Sequence, residues 1–204
     1  PPVQPPLAPG VFTAYTAHDM RTAVDSGQDV SILLPPGAHF MLEGTALTVH
    51  VGVAIQIYGG GNAILDAGGL SRLFTVHGEL HLQGLTLMRG EEHYGGGLMV
   101  LPGGKAILSD VALINCTAVS PGFGHADGGG VYVLPFASVT FQRSAIAGFR
   151  AVNGQLQTGA AARGGGAYVL GRSGSIMQHV HVHAPTRHQA FRLFTPPLHP
   201  LDDS

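Results

Sequence analysis

Between Val30 and about Ala184 the chain is written in short apolar runs cut by glycine. One pattern recurs inside those runs: apolar, skip one, apolar, skip two, apolar, skip one, apolar. It reads Leu80, Leu82, Leu85, Leu87, then Ala106, Leu108, Val111, Leu113, then Val139, Phe141, Ser144, Ile146, with Ser144 as a weak member. Alternation by two marks a strand with one face buried. The step of three marks a bend joining two such strands. The copies recur within the roughly 20–50 residue period of repeat architectures. Propeller blades need about four strands per repeat and carry their own motifs, which are absent. The pattern therefore predicts an all-β fold, a parallel β-helix of about six coils of short strands, with extra length set aside in loops. Two such loops are TAVSPGFGHAD and AVNGQLQTGAAAR.

A second repeat lies beside the first. GGGLMVL at Gly95–Leu101 returns as GGGVYVL at Gly128–Leu134 and GGGAYVL at Gly164–Leu170. Each triplet follows a variable loop and precedes a strand. Glycine reaches positive φ without a Cβ clash and allows backbones to stack closely. A phosphate-binding loop would need Lys-Ser/Thr after the glycines, or a helix opened by G-x-G-x-x-G, and neither is present. The triplets read as re-entry points, which places any specific recognition in the residues before them: Glu91, Glu92, His93 and Tyr94, then His125 and Asp127, then Arg163.

Upstream, residues 1–15 hold a proline-rich arm. In AHDMRTAVDSGQDV, Asp19 is expected to cap a short helix through about Ser26, with Gly27 stopping it. VSILLPPGAHFML reads as strand, turn, strand, with Pro35-Pro36-Gly37 as the turn. Residues 16–184 make the repeat region. Residues 185–204 leave it and read as a tail or cap, in which Phe191, Leu193 and Phe194 would cover the open end of the stack.

Composition narrows this picture without changing it. Charged residues are 11% of the 204, against about 25% in ordinary globular domains, and glycine reaches 31, which suits turns and strands better than helices. The net charge of −2 with no Lys/Arg cluster gives no nucleic-acid footprint. No apolar run approaches the ~20 residues of a membrane-spanning helix. The chain opens on Pro1-Pro2, which suggests a processed form or a segment of a longer protein. Cys116, the single cysteine, reads as a small buried residue.

Candidate chemistry is sparse. The adjacent acids Glu91 and Glu92 fall in a loop, and Asp110 falls at a bend. Paired carboxylates serve acid–base work because one can stay charged while the other carries a proton. If such a site exists, Glu91, Glu92, Asp110, Asp127 and Arg143 are its candidates. His179, His181 and His183 alternate with valines, so three imidazoles would line one strand face, and imidazoles bind zinc or copper. A straight row sets the outer rings ~13 Å apart, so one ion would need a further donor such as His188. No cofactor is expected. Tyr132 and Tyr168 occupy the same place in successive GGG-x-Y-V-L copies, which predicts stacked rings.

DMRTAVDSGQDVSILLPPGAHFML resembles the capping helix and first coil of right-handed β-helix proteins of the pectin lyase-like superfamily. IQIYGGGNAILDAGGLSRLFTVHGELHLQGLTLMRG is similar to their next coils. GGGLMVL and ALINCTA resemble the repeats of polymorphic outer membrane proteins, where an Asn-containing turn follows; Asn115 fits that turn, while later copies place Gly148 and Arg150 there. The resemblance implies right-handed coiling and a capping helix over roughly Thr16 to Ala184. It is poorly specific for function, because the superfamily holds lyases, hydrolases, epimerases, adhesins and structural spines. Its lyases use acidic clusters with Ca²⁺ and a Lys or Arg base, and its hydrolases use three Asp. The expectation is a non-catalytic scaffold or surface module that presents loops or docks in a larger assembly through protein partners at its proline-rich ends or loops. The alternatives are a lyase or epimerase on acidic glycans and a His-rich metal-binding module. An extracellular or cell-surface location is expected, with an organellar lumen or a peripheral place in a complex as the other options.

Overall fold

Two β-strands bracket the only helix among the described residues, and the reason is local. A computed structural model of the chain describes residues 11–120, 125–153, 162–163, 166–170, 176–178, 181–183 and 192–194. The helix Ala17–Val24 starts at Thr16, not at Asp19. The Thr16 hydroxyl accepts from the Asp19 N–H at 3.1 Å, and the Asp19 carboxylate accepts from the Thr16 N–H at 2.9 Å. This reciprocal capping box makes Asp19 the third helical residue. The helix ends before Asp25, two residues ahead of Gly27. Met20 and Val24 are its buried face. Arg21 donates to the carbonyls of Leu42, Thr45 and Ala46, tying the helix to the turn after the strand His39–Met41.

Each pass of the chain then lays strands into the same sheets. An 11-stranded sheet runs, along its main path, through Val11–Thr13, Val30–Leu34, Ala54–Asp66, Glu79–Met88, Lys105–Ser109, Ser138–Gln142 and Ile176–Gln178. A six-stranded sheet holds Leu47–Val49, Phe74–Val76, Leu98–Val100, Val131–Val133, Ala167–Leu170 and Arg192–Phe194. Smaller sheets join Glu91–Glu92, Thr117–Ser120 and Arg150–Asn153, and Ala126–Asp127 with Ala162–Arg163. All pairs among the described strands are parallel. Parallel neighbours need a long crossover; between Val11–Thr13 and Val30–Leu34 it is the helix, and the later crossovers pass through the other sheets.

The apolar pattern maps onto this register. Ile57 pairs with Leu82, Leu82 with Leu108, and Leu108 with Phe141, and all four are buried. The step of three is a bend at Gly84, Asp110 and Arg143, with φ of 67°, 55° and 46°. Arg89, Asn115 and Gly148, again at positive φ, form the next bend. Asn115 stands in this column once: its Oδ1 lies where a Cβ on Gly148 would fall. Ser144 is buried without cost to the backbone. Its hydroxyl accepts from the Val111 N–H at 3.2 Å and lies 2.9 Å from the Gln142 carbonyl. The Pro35-Pro36-Gly37 turn is no hairpin. Val30–Leu34 and His39–Met41 both run parallel to the one long strand Ala54–Asp66, so the turn is a kink along a shared line.

The last glycines of the three triplets stack on one another. Gly95 and Gly128 take the left-handed conformation, φ 59° and 65°. Gly97 N–H donates to the Gly130 carbonyl at 2.9 Å, and Gly130 N–H to the Gly166 carbonyl at 3.0 Å. Gly97, Gly130 and Gly166 thus form a backbone-to-backbone column at the entrance to the six-stranded sheet.

Candidate functional site

The residues that precede the triplets come together. Glu91 and Glu92 are not in a loop; they form a short strand paired with Thr117 and Ala118. Tyr94 bridges to Asp127 in parallel fashion, and Asp127 is in register with Arg163. Tyr94, Asp127 and Arg163 therefore stack as one lobe beside the glycine column, with Glu91–Glu92 leading into it. Glu91 and His93 are exposed, Glu92, Tyr94 and His125 half-buried, and Asp127 buried. The Tyr132 ring stacks on Tyr168 at 5.7 Å and 12° between planes. Tyr94, which the strand repeat does not include, joins from the lobe at 5.1 Å and 38°. The lobe also rests on a residue the sequence reading passed over. Arg72 is largely buried and faces Glu92 at 3.9 Å. Burial pushes its pKa down and Glu92 pulls it back up.

The five acid–base candidates are spread over three sheets. Asp110 and Arg143 sit at the first bend of the 11-stranded sheet, Glu91 and Glu92 in the three-stranded sheet, and Asp127 in the two-stranded one. Arg143 grips Asp110 in a fork, Nε to Oδ1 at 2.8 Å and Nη2 to Oδ2 at 2.7 Å. The hydrogen bond from Arg143 holds the Asp110 pKa below the ordinary range. This pair occupies equivalent bend positions on successive passes, a structural job. Glu79 is paired likewise at the start of the strands of the same sheet, accepting from Lys105 at 2.8 Å and lying 2.7 Å from His81 Nε2. Asp110→Asn keeps a residue tolerant of positive φ at an exposed pair, so it should move Tm by less than about 3 °C in a thermal melt.

One ionic centre was not foreseen. Asp66 stands in a strand among Leu65 and Ala67, with its side chain fully buried. Arg89 binds it through Nε at 2.8 Å and closely through Nη2. His39 Nε2 lies 2.9 Å away, and the Gly68 N–H donates at 2.9 Å. Burial pushes the Asp66 pKa up, but the hydrogen bonds from Arg89, His39 and Gly68 outweigh it and leave the pKa below the ordinary range. The three side chains come from three successive passes. His39 also lines an open cleft with Tyr15, Pro36, Met41 and Glu43. An acid flanked by apolar residues inside a strand was the available signal.

No group of three His, Cys, Asp or Glu able to hold a metal exists among the described residues. His179 lies outside those residues. The strand His181–His183 pairs with Ala145–Ala147, placing Val182 in register with buried Ile146. Phe191 also lies outside the described residues, while Arg192–Phe194 adds a strand beside Tyr168–Leu170. Cys116 is buried, and desolvation pushes its thiol up to about 12. No helix among the described residues is long and apolar enough to cross a membrane. Set against known proteins, the chain matches no family model, no curated protein and no solved structure, so the lobe and the Asp66 knot stand on their own geometry.

Proposed function

We propose that this chain is a right-handed parallel β-helix of the pectin lyase-like kind, and that it works as a non-catalytic scaffold presenting the Glu91–Tyr94 lobe to a protein partner at a cell surface. The observation that carries the reading is the stacking of Tyr94, Asp127 and Arg163 in register, which gives three variable segments one rigid platform. The strand-borne charges support it. Asp110, Glu79 and Asp66 are each engaged by a cation of the next pass, so these carboxylates are occupied in ion pairs along the stack. A closed stack of parallel strands also accounts for the low charge content and the glycine column.

Incubation with pectate or alginate plus Ca²⁺ tests the reading against its main rival. The scaffold reading expects flat absorbance, because no unsaturated product forms. A steady, enzyme-dependent rise in absorbance would establish a lyase and remove it.

A further inference from the structure

We propose that the His39–Asp66–Arg89 knot is an acid latch: protonation of Asp66 frees the first pass and its helix while the later passes stay assembled. Three facts of position support this. Asp66 is the fully buried member of the knot, and it sits between Met41 and Met88 in the strand register. Among the described residues, the strand His39–Met41 pairs only with the strand Ala54–Asp66, over three residues. Arg21 fastens the helix to the turn directly after that strand, so the two move together.

Among the described residues, the charged and titratable groups facing Asp66 are His39, Arg89 and the Cys116 thiol. Cys116 is neutral, because its pKa is pushed up to about 12. At neutral pH the buried carboxylate answers the Arg89 charge and holds His39. In acid the carboxyl is neutral, so the Arg89 charge loses the carboxylate that answers it and the knot loses its central anion. Both His39 and Arg89 are about half exposed at 49% and 46%, so each can turn to water. That motion releases the strand and uncovers Phe40 and Leu42, which are buried in the intact fold.

The sign follows from the direction of the shift. The folded-state Asp66 pKa is depressed, so its contribution is present above the ordinary carboxylate pKa of about 4 and disappears as pH falls below it. The later clasps, Glu79–Lys105 and Asp110–Arg143, are exposed and contribute little. Their loss does not open the stack, which makes the release local.

Hydrogen exchange followed by mass spectrometry, from pH 6 to pH 2.5 and corrected for intrinsic rates, reads this directly on the full chain. The latch predicts that segments 17–24 and 39–49 lose at least about tenfold in protection at a pH where 106–114 and 131–147 keep theirs. Asp66→Asn should show the same local loss already at pH 6, and Asp110→Asn should follow the wild type throughout. Simultaneous loss of protection in all segments overturns the proposal, as does a folded Asp66→Asn with wild-type exchange in 39–49. If Asp66→Asn does not fold, the wild-type profile decides alone.

Discussion

Asp66→Ala should lose about 3 kcal/mol of stability at pH 7, the lower end of the cost of removing one partner from a buried ion pair. The lower end applies because Arg89 and His39 are half exposed and can find water. For a chain of this length that is a fall in Tm of about 6–12 °C. Three consequences add up in the one substitution. The Arg89 guanidinium loses its fork, the Gly68 N–H loses its acceptor, and the ends of three neighbouring passes lose their common tie. A thermal melt with a chemical denaturation curve measures it. A loss under about 1 kcal/mol would mean that the passes hold together by apolar burial alone.

Gly130→Val should be worse, above about 4 kcal/mol, and should show as collapsed soluble yield. A Cβ at Gly130 would stand 2.5 Å from the Gly166 carbonyl oxygen and 2.7 Å from the Phe149 ring. Neither neighbour is the loose end of a flexible side chain. One is backbone in the glycine column and the other is a buried core ring. Gly103→Ala provides the contrast. It has φ of +84° and open space around its missing Cβ, so only conformational strain of about 1–2 kcal/mol is expected. Equal denaturant midpoints for the two variants would refute the stacking role of the triplets.

Much of the architecture was written in the spacing of apolar residues. Leu80, Leu82, Leu85 and Leu87 are buried at the two legs of a bend, as the two-three-two pattern requires. Ser144 kept its place in that pattern because the bend supplies a hydroxyl with backbone partners. The helix start was misplaced because Thr16 and Asp19 are both good capping residues, and only geometry tells which accepts from the other. The strand Glu91–Glu92 was hidden because its edge is defined by a partner far along the chain. The Asp66 knot was hidden for the same reason: His39 is 27 residues before it and Arg89 23 after. Local periodicity reports which face is buried, and it carries no information on which distant cation will meet a buried acid. The loop lobe was legible as three separate segments; that they form one surface required the register.

The fold, the lobe and the latch all depend on parallel strands stacking pass upon pass in a fixed register. Paired cysteines test that most directly. Thr48 and Thr75 are cross-strand partners on the half-buried outer face of the six-stranded sheet. Neighbouring strands lie ~4.8 Å apart, within the reach of a disulfide. Under mild oxidation, Thr48→Cys with Thr75→Cys should form an intramolecular bridge in high yield, seen as a loss of two free thiols by mass spectrometry. Thr48→Cys with His77→Cys, displaced along the chain by one outward position, should remain reduced. A bridge in the displaced pair, or none in the paired one, would contradict the register on which the fold, the lobe and the latch depend.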